Sequence, residues 1–170
     1  KEFMGKYRVD VTFKREIDKP VIEKGERNNP IPIHALGFCA LPPDRYHPYP
    51  NIPLSLRPIE ATLRAFLTSG ERAELNEFWM ARYGRRIDVF LPNYWDEINL
   101  SKVAVTARGT GRDSQRYWEL PMLGALMIAQ YLPIHESVLH QLKHHEHCLY
   151  HDGTVADFET KLGYALANLD

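Results

Sequence analysis

The chain has little of what would settle its class at once. Two cysteines, Cys39 and Cys148, are too few for a disulfide framework, so a reducing compartment and a cytoplasmic location are the simpler reading. No apolar run approaches the roughly 18 residues of a membrane helix, so no span is expected. Charge of one sign is also missing: 21 Lys and Arg stand against 22 Asp and Glu. General nucleic-acid or membrane-surface binding therefore has no electrostatic support. The opening KEFMGKYRVD has no apolar run behind its charges and does not read as a signal peptide. It begins with Lys1 rather than Met, which leads to the expectation of a longer parent with a domain upstream. Internal repeats and low-complexity tracts are absent.

What remains is an ordinary globular composition, 44% hydrophobic and 25% charged over 170 residues, enough for one core and one medium domain with a linker. Proline is unevenly spread, with positions 20, 30, 32, 42, 43, 48, 50 and 53 falling in one stretch. That density excludes a long helix or a central strand there. Residues 1–53 are expected to be the end of a preceding domain, with one strand in Tyr7 to Phe13, followed by an extended interdomain linker. Pro32 to Pro42 (PIHALGFCALP) is its one apolar anchor. A linker of this length is unusual inside a compact domain.

From residue 54 onward, strands and helices alternate, which predicts an α/β fold with a Rossmann-like parallel sheet flanked by helices. Ile59 to Leu67 is the first strand. Thr68 to Glu71 has capping-box spacing ahead of a helix over about 70–83 that Gly84 ends. Ile87 to Leu91 reads as a second strand, and Tyr94 to Leu100 as a short helix. Val103 to Thr106 is a β-branched strand, followed by the glycine turn Arg108-Gly109-Thr110-Gly111. Asp113 or Ser114 can cap a helix through Leu123, with Pro121 loosening its hydrogen bonding near Tyr117. Gly124 stops it, and Ala125 to Ala129 is an apolar strand. Pro133 opens a His-rich helix to about Lys143, and His147 to Tyr150 forms a last strand. Thr154 caps a final helix, with Asp157 at the capping-box position.

The candidate chemistry concentrates between residues 101 and 130. Glycines let backbone approach a phosphate, helix-start N–H groups favour an anion, and Arg108 can add a charge-assisted bond. Arg116 and Glu119 share one helical face. They suit either a surface ion pair worth under about 1 kcal/mol or a ribose site, because a carboxylate offers acceptor oxygens to two hydroxyl donors. Tyr117 or Trp118 can stack on a base, whereas Trp79 and Trp95 read as core.

The block Asp113, Arg116, Glu119, Gly124 and Ala125 to Ile128, after a short G-x-G loop, resembles the donor-binding half of GT-B glycosyltransferases. The nearest likeness is to their exostosin-like and spore-maturation-protein-like branches. The likeness covers residues 54–170, including the final helix VADFETKLGYALANLD, and FKRE with PIHALGFCALP resembles the end of the preceding domain and its linker. The resemblance implies a nucleoside-diphosphate sugar held by Arg108, Gly109, Thr110, Gly111, Asp113, Arg116 and Glu119, with Glu119 on the ribose and the arginines near the diphosphate. It also implies an acceptor, glycan or otherwise, bound mainly by an N-terminal domain missing here, and no metal or other cofactor. Many retaining members carry a second Glu eight residues away, where this chain has Gly111 and Met127.

Six of the eight histidines lie between His135 and His151. His140 and His144 are i,i+4, with His147 close behind, a spacing that can hold Zn²⁺. A solvated helix end weighs against it, since no H-E-x-x-H arrangement is present. Two further readings are a non-catalytic nucleotide-binding or interaction module and a His-cluster metal-binding domain.

Overall fold

A computed structural model describes residues 12–15, 33–36, 49–88, 94–109, 115–133 and 142–169. Strand β1, Thr12–Arg15, pairs in parallel with β2, Ile33–Leu36, as a two-stranded sheet. The apolar stretch after Pro32 is thus a paired strand, where the proline density predicted only an anchored linker. Pro30 and Pro32 precede its first residue, so neither removes a ladder donor. Of the strand expected at Tyr7 to Phe13, residues 7–11 lie outside the described residues.

The second sheet is four-stranded and all parallel, in the order β3 (Ile59–Leu63), β4 (Ser101–Thr106), β5 (Leu126–Gln130), β6 (Leu149–His151). With its helices it is the expected α/β, Rossmann-like arrangement. Helix α1 is Gly70–Tyr83, α2 Tyr94–Asn99, α3 Arg116–Met122 and α4 Val155–Ala167. The strands alternate between two buried faces. Val103, Val105, Leu63 and Ile128 meet Leu75 and Trp79 of α1 and Phe158 and Leu162 of α4. Ala104, Met127 and Ala129 meet Ile98 of α2 and Tyr117 and Leu120 of α3. Strands buried on both faces read as near-continuous apolar runs, as VAV and LMIA do here. Each large side chain buried this way contributes on the order of 1.5–3 kcal/mol.

Two buried polar centres brace the sheet, the first at the amino ends of its strands. The Arg57 guanidinium donates to the carbonyls of Ile52, Ser101 and Leu123 at 3.0–3.3 Å. The buried Glu97 carboxylate accepts from Thr62 Oγ1 at 2.6 Å and Arg64 Nε at 3.0 Å, with Arg85 at 3.4 Å.

Local chemistry sets most boundaries. Ser69 caps α1 by accepting from the Arg72 N–H, one residue later than the Thr68 capping-box reading, and Gly84 closes it at φ 65°. Thr154 caps α4 by accepting from the Asp157 N–H. Three expectations change. Ile87 and Asp88 are not in a strand, because the Ile87 N–H goes to the Asn76 side chain and its carbonyl to the Ala65 N–H; Val89 to Leu91 lie outside the described residues. The cap of α3 is Gln115, with no side-chain bond, and Asp113 and Ser114 lie outside. Pro121 sits within α3, which spans only seven residues.

The third change concerns the His-rich segment. Residues 134–141, with His140, lie outside the described residues, but Leu142 to His147 is not helical. The N–H groups of Glu146 and His147 both turn back to the Lys143 carbonyl, and the His145 N–H bonds Cys148 O. His145 sits at φ 63°, a left-handed conformation that ends any helix.

Candidate functional site

Four parallel strands place four carboxyl ends along one edge, which is where open α/β sheets bind ligands. Arg108 and Gly109 follow β4 there, as expected. The Arg108 side chain is exposed, and its N–H donates to Gln130 Oε1 at 2.8 Å, at the end of β5. Gln130 is itself fixed, since its carbonyl accepts from the Tyr117 hydroxyl of α3 at 3.0 Å. Thr110, Gly111 and Asp113 lie outside the described residues.

Beneath Gly109 is a cation the sequence reading did not single out. Arg72, in the first turn of α1, is 4% exposed. Its Nη1 donates to Phe66 O at 2.9 Å and Thr68 Oγ1 at 3.3 Å, and its Nη2 to Ala107 O at 2.9 Å, while Nε has no partner. A Cβ on Gly109 would stand 3.0 Å from Nη2, so glycine lets the loop lie against the guanidinium. Burial pushes the Arg72 pKa down, and the nearby Arg116 adds to the effect. Two like charges at one edge, with no carboxylate among the described residues bridging them, favour an anionic ligand. Arg108 is close enough to Glu71 to help lower that carboxyl's pKa, behind the backbone and Ser69 hydrogen bonds.

Arg116 and Glu119 are not an ion pair. The Arg116 guanidinium lies over the Tyr94 ring, 5.7 Å from its centroid. Glu119 is 7% exposed, and among the described residues nothing donates to its carboxyl group. Burial raises its pKa, with Arg116 opposing. The Tyr94 hydroxyl is held up at about 12 by burial, Arg116 opposing and Glu119 assisting. Tyr94 Oη, Arg116 Nε and Trp118 Nε1 are buried without hydrogen-bond partners. Buried polar groups are ordinarily satisfied; here three, on the two helices that carry Tyr94 and Glu119, are left open.

At the third strand end, the His151 Nδ1 accepts from the Gly153 N–H at 3.2 Å, which places the proton of its neutral ring on the unpartnered Nε2. Burial drives its pKa down to about 4. Gly153, at φ 103°, lets Gln130 Nε2 approach to 2.7 Å of the position a Cβ would take.

Of the candidate metal ligands, His140 lies outside the described residues. His144 and His147 lie in the turn, and each ring's Nδ1 accepts a backbone N–H, from Tyr150 and Lys143 respectively. Among the described residues, no three His, Cys, Asp or Glu side chains converge as a metal site. No described helix is long and apolar enough to cross a membrane.

The structure thus brings together Arg108 and Gly109 with Arg72 and Gln130, and Arg116 and Glu119 with Tyr94. Gln130 had one signal in the sequence, a polar residue closing the apolar run LMIA. Arg72 had none, because its position under the loop is a long-range contact. Compared with known proteins, the chain matches no family model, no curated sequence and no solved structure.

Proposed function

We propose that the chain supplies the nucleotide-sugar-binding half of a GT-B glycosyltransferase of the exostosin-like or spore-maturation-protein-like kind. It transfers a sugar from a nucleoside-diphosphate donor to a glycan or other acceptor, held mainly by a domain preceding this one. The observation that carries the reading is Glu119, a buried carboxyl group without a hydrogen-bond donor, on the helix after a glycine loop at the carboxyl end of a parallel strand. A ribose diol supplies two donors to such a group. The Arg72 and Arg116 guanidiniums and the Arg108–Gly109 loop stand where a diphosphate brings negative charge. In the transfer step, those cations and N–H groups stabilise charge developing on the leaving diphosphate.

Calorimetry with UDP, GDP, ADP and CDP tests the binding step. One nucleoside diphosphate is expected to bind, and its 2′-deoxy counterpart, or Glu119→Gln with the ribose form, to bind roughly 10- to 100-fold more weakly, the loss of one or two charge-assisted hydrogen bonds. No binding of any of the four sinks the reading. Binding without sugar turnover by the longer parent reduces it to a non-catalytic nucleotide module.

A further inference from the structure

The carboxyl edge carries a second feature that the nucleotide reading leaves unused. A cleft of about 550 Å³ opens beside the ends of β5 and β6 and the start of α4, lined among others by Tyr131, Lys143, His144, Tyr150, Asp152 and Asp157. Its walls belong to a continuous run of rings. Tyr131 meets Tyr150 at 5.5 Å and 79°, Tyr150 stacks on His144 at 6.1 Å and 27°, and His144 meets His145 at 4.0 Å. His145, in its left-handed conformation, meets Tyr164 of α4 edge-on at 5.9 Å. Tyr131 and Tyr164 are 40% and 51% exposed.

We propose that this cleft binds a hexose unit of a glycan. Sugar rings present apolar C–H faces to aromatic walls and hydroxyl donors to carboxylates, and both kinds of partner are present. Asp152 uses Oδ1 for the Thr154 N–H and hydroxyl, and Asp157 uses Oδ2 for the Asp152 N–H. Asp152 keeps its second oxygen as an acceptor, while the second oxygen of Asp157 is shared with Lys161 at 3.7 Å. The charge balance argues against a nucleotide here. Asp152 and Asp157 face two ammoniums that are both already paired, Lys143 with Glu146 at 3.0 Å and Lys161 with Asp157 at 3.7 Å, which leaves no free cation for a phosphate among the described residues of the cleft. Burial keeps His144 below its ordinary pKa, helped by His145 and Lys161, and holds His151 at about 4, so neither imidazole adds positive charge at neutral pH. The cleft is therefore separate in chemistry from the cationic loop after β4, and the inference holds whether or not that loop binds a nucleotide.

Titrating ¹⁵N-labelled protein with maltose, cellobiose, lactose and chitobiose, read by amide chemical shifts, tests this. At least one disaccharide is expected to bind weakly, on the order of millimolar for an open site gripping one or two rings, with shifts confined to the 143–152 turn and strand and to Tyr131. Tyr131→Ala is expected to weaken that binding at least about tenfold with the rest of the spectrum unchanged, and Tyr131→Phe, which keeps the ring, to retain it. Saturating UDP is expected to leave the saccharide shifts in place. The proposal is overturned if none of the four sugars moves these resonances, if Tyr131→Ala binds as the parent does, or if UDP displaces the sugar.

Discussion

The Arg108 N–H donates to Gln130 Oε1 at 2.8 Å, and the Nε2 of the same amide lies against Gly153. One side chain at the end of β5 therefore ties the loop after β4 to the turn that launches α4. Gln130→Leu leaves the Arg108 N–H without its acceptor and is expected to cost roughly 1–3 kcal/mol. It should also lower hydrogen-exchange protection at Arg108. Gln130→Glu keeps an acceptor and should retain that protection. Equal exchange at Arg108 in both variants would show that the amide does not anchor the loop.

The two glycines of the final segment predict opposite signs. Gly153 has φ 103°, and an added Cβ would fall 2.7 Å from Gln130 Nε2, so Gly153→Ala is expected to destabilise by roughly 2–3 kcal/mol. Gly163, inside α4, would place a Cβ with nothing within 4 Å. Gly163→Ala should stabilise by about 0.5–1 kcal/mol through helix propensity. Chemical denaturation of the pair reads both; equal effects at the two positions would refute the backbone argument.

His151 makes stability depend on acid. Its folded pKa is depressed to about 4 against an ordinary 6.5. The unfolded chain therefore takes up a proton between those values while the folded chain does not. The contribution is present above about pH 6.5 and is lost as pH falls towards 4, roughly 3 kcal/mol in all. His151→Asn keeps an acceptor near the Nδ1 position for Gly153 and removes the titration. Melting curves from pH 7 to 4 should show a shallower fall for this variant than for the parent; parallel curves would place the acid sensitivity elsewhere.

How legible each feature was follows from how local its cause is. The helix over 70–83 and its stop at Gly84 were readable because cap and stop lie next to the apolar stripe they bound. The strands Ser101–Thr106 and Leu126–Gln130 were readable as short apolar runs. Most of the helix expected from Pro133 to about Lys143 lies outside the described residues; from Leu142 onward the chain is a turn made by backbone bonds to Lys143 and by His145 at φ 63°. Ile87 misled because its backbone is claimed by Asn76, eleven residues away, rather than by a strand. At the site, Glu119 and Arg116 stood out by type and spacing, but their lack of mutual pairing did not, since it depends on Tyr94 drawing the guanidinium over its ring. Arg72 became visible only when the strand ends were side by side.

Glu119 carries the last prediction, in which stability and binding move in opposite directions. Its folded pKa is raised by burial, so the folded state holds a proton that the unfolded chain releases near 4.5. The favourable contribution is complete below about pH 4.5 and is lost as pH climbs through the raised folded value. Glu119→Gln imitates the protonated form and cannot ionise. It should melt higher than the parent at pH 7, and the difference should vanish as pH drops below 4.5. Ligand binding runs the other way, because hydroxyl donors favour the carboxylate. Nucleoside-diphosphate affinity should strengthen as pH rises through the Glu119 titration, with proton release that makes the calorimetric enthalpy depend on the buffer's ionisation heat. Glu119→Gln should flatten both dependences. A variant that is more stable yet binds as well as the parent would mean that the buried carboxylate is not held ready for a ligand.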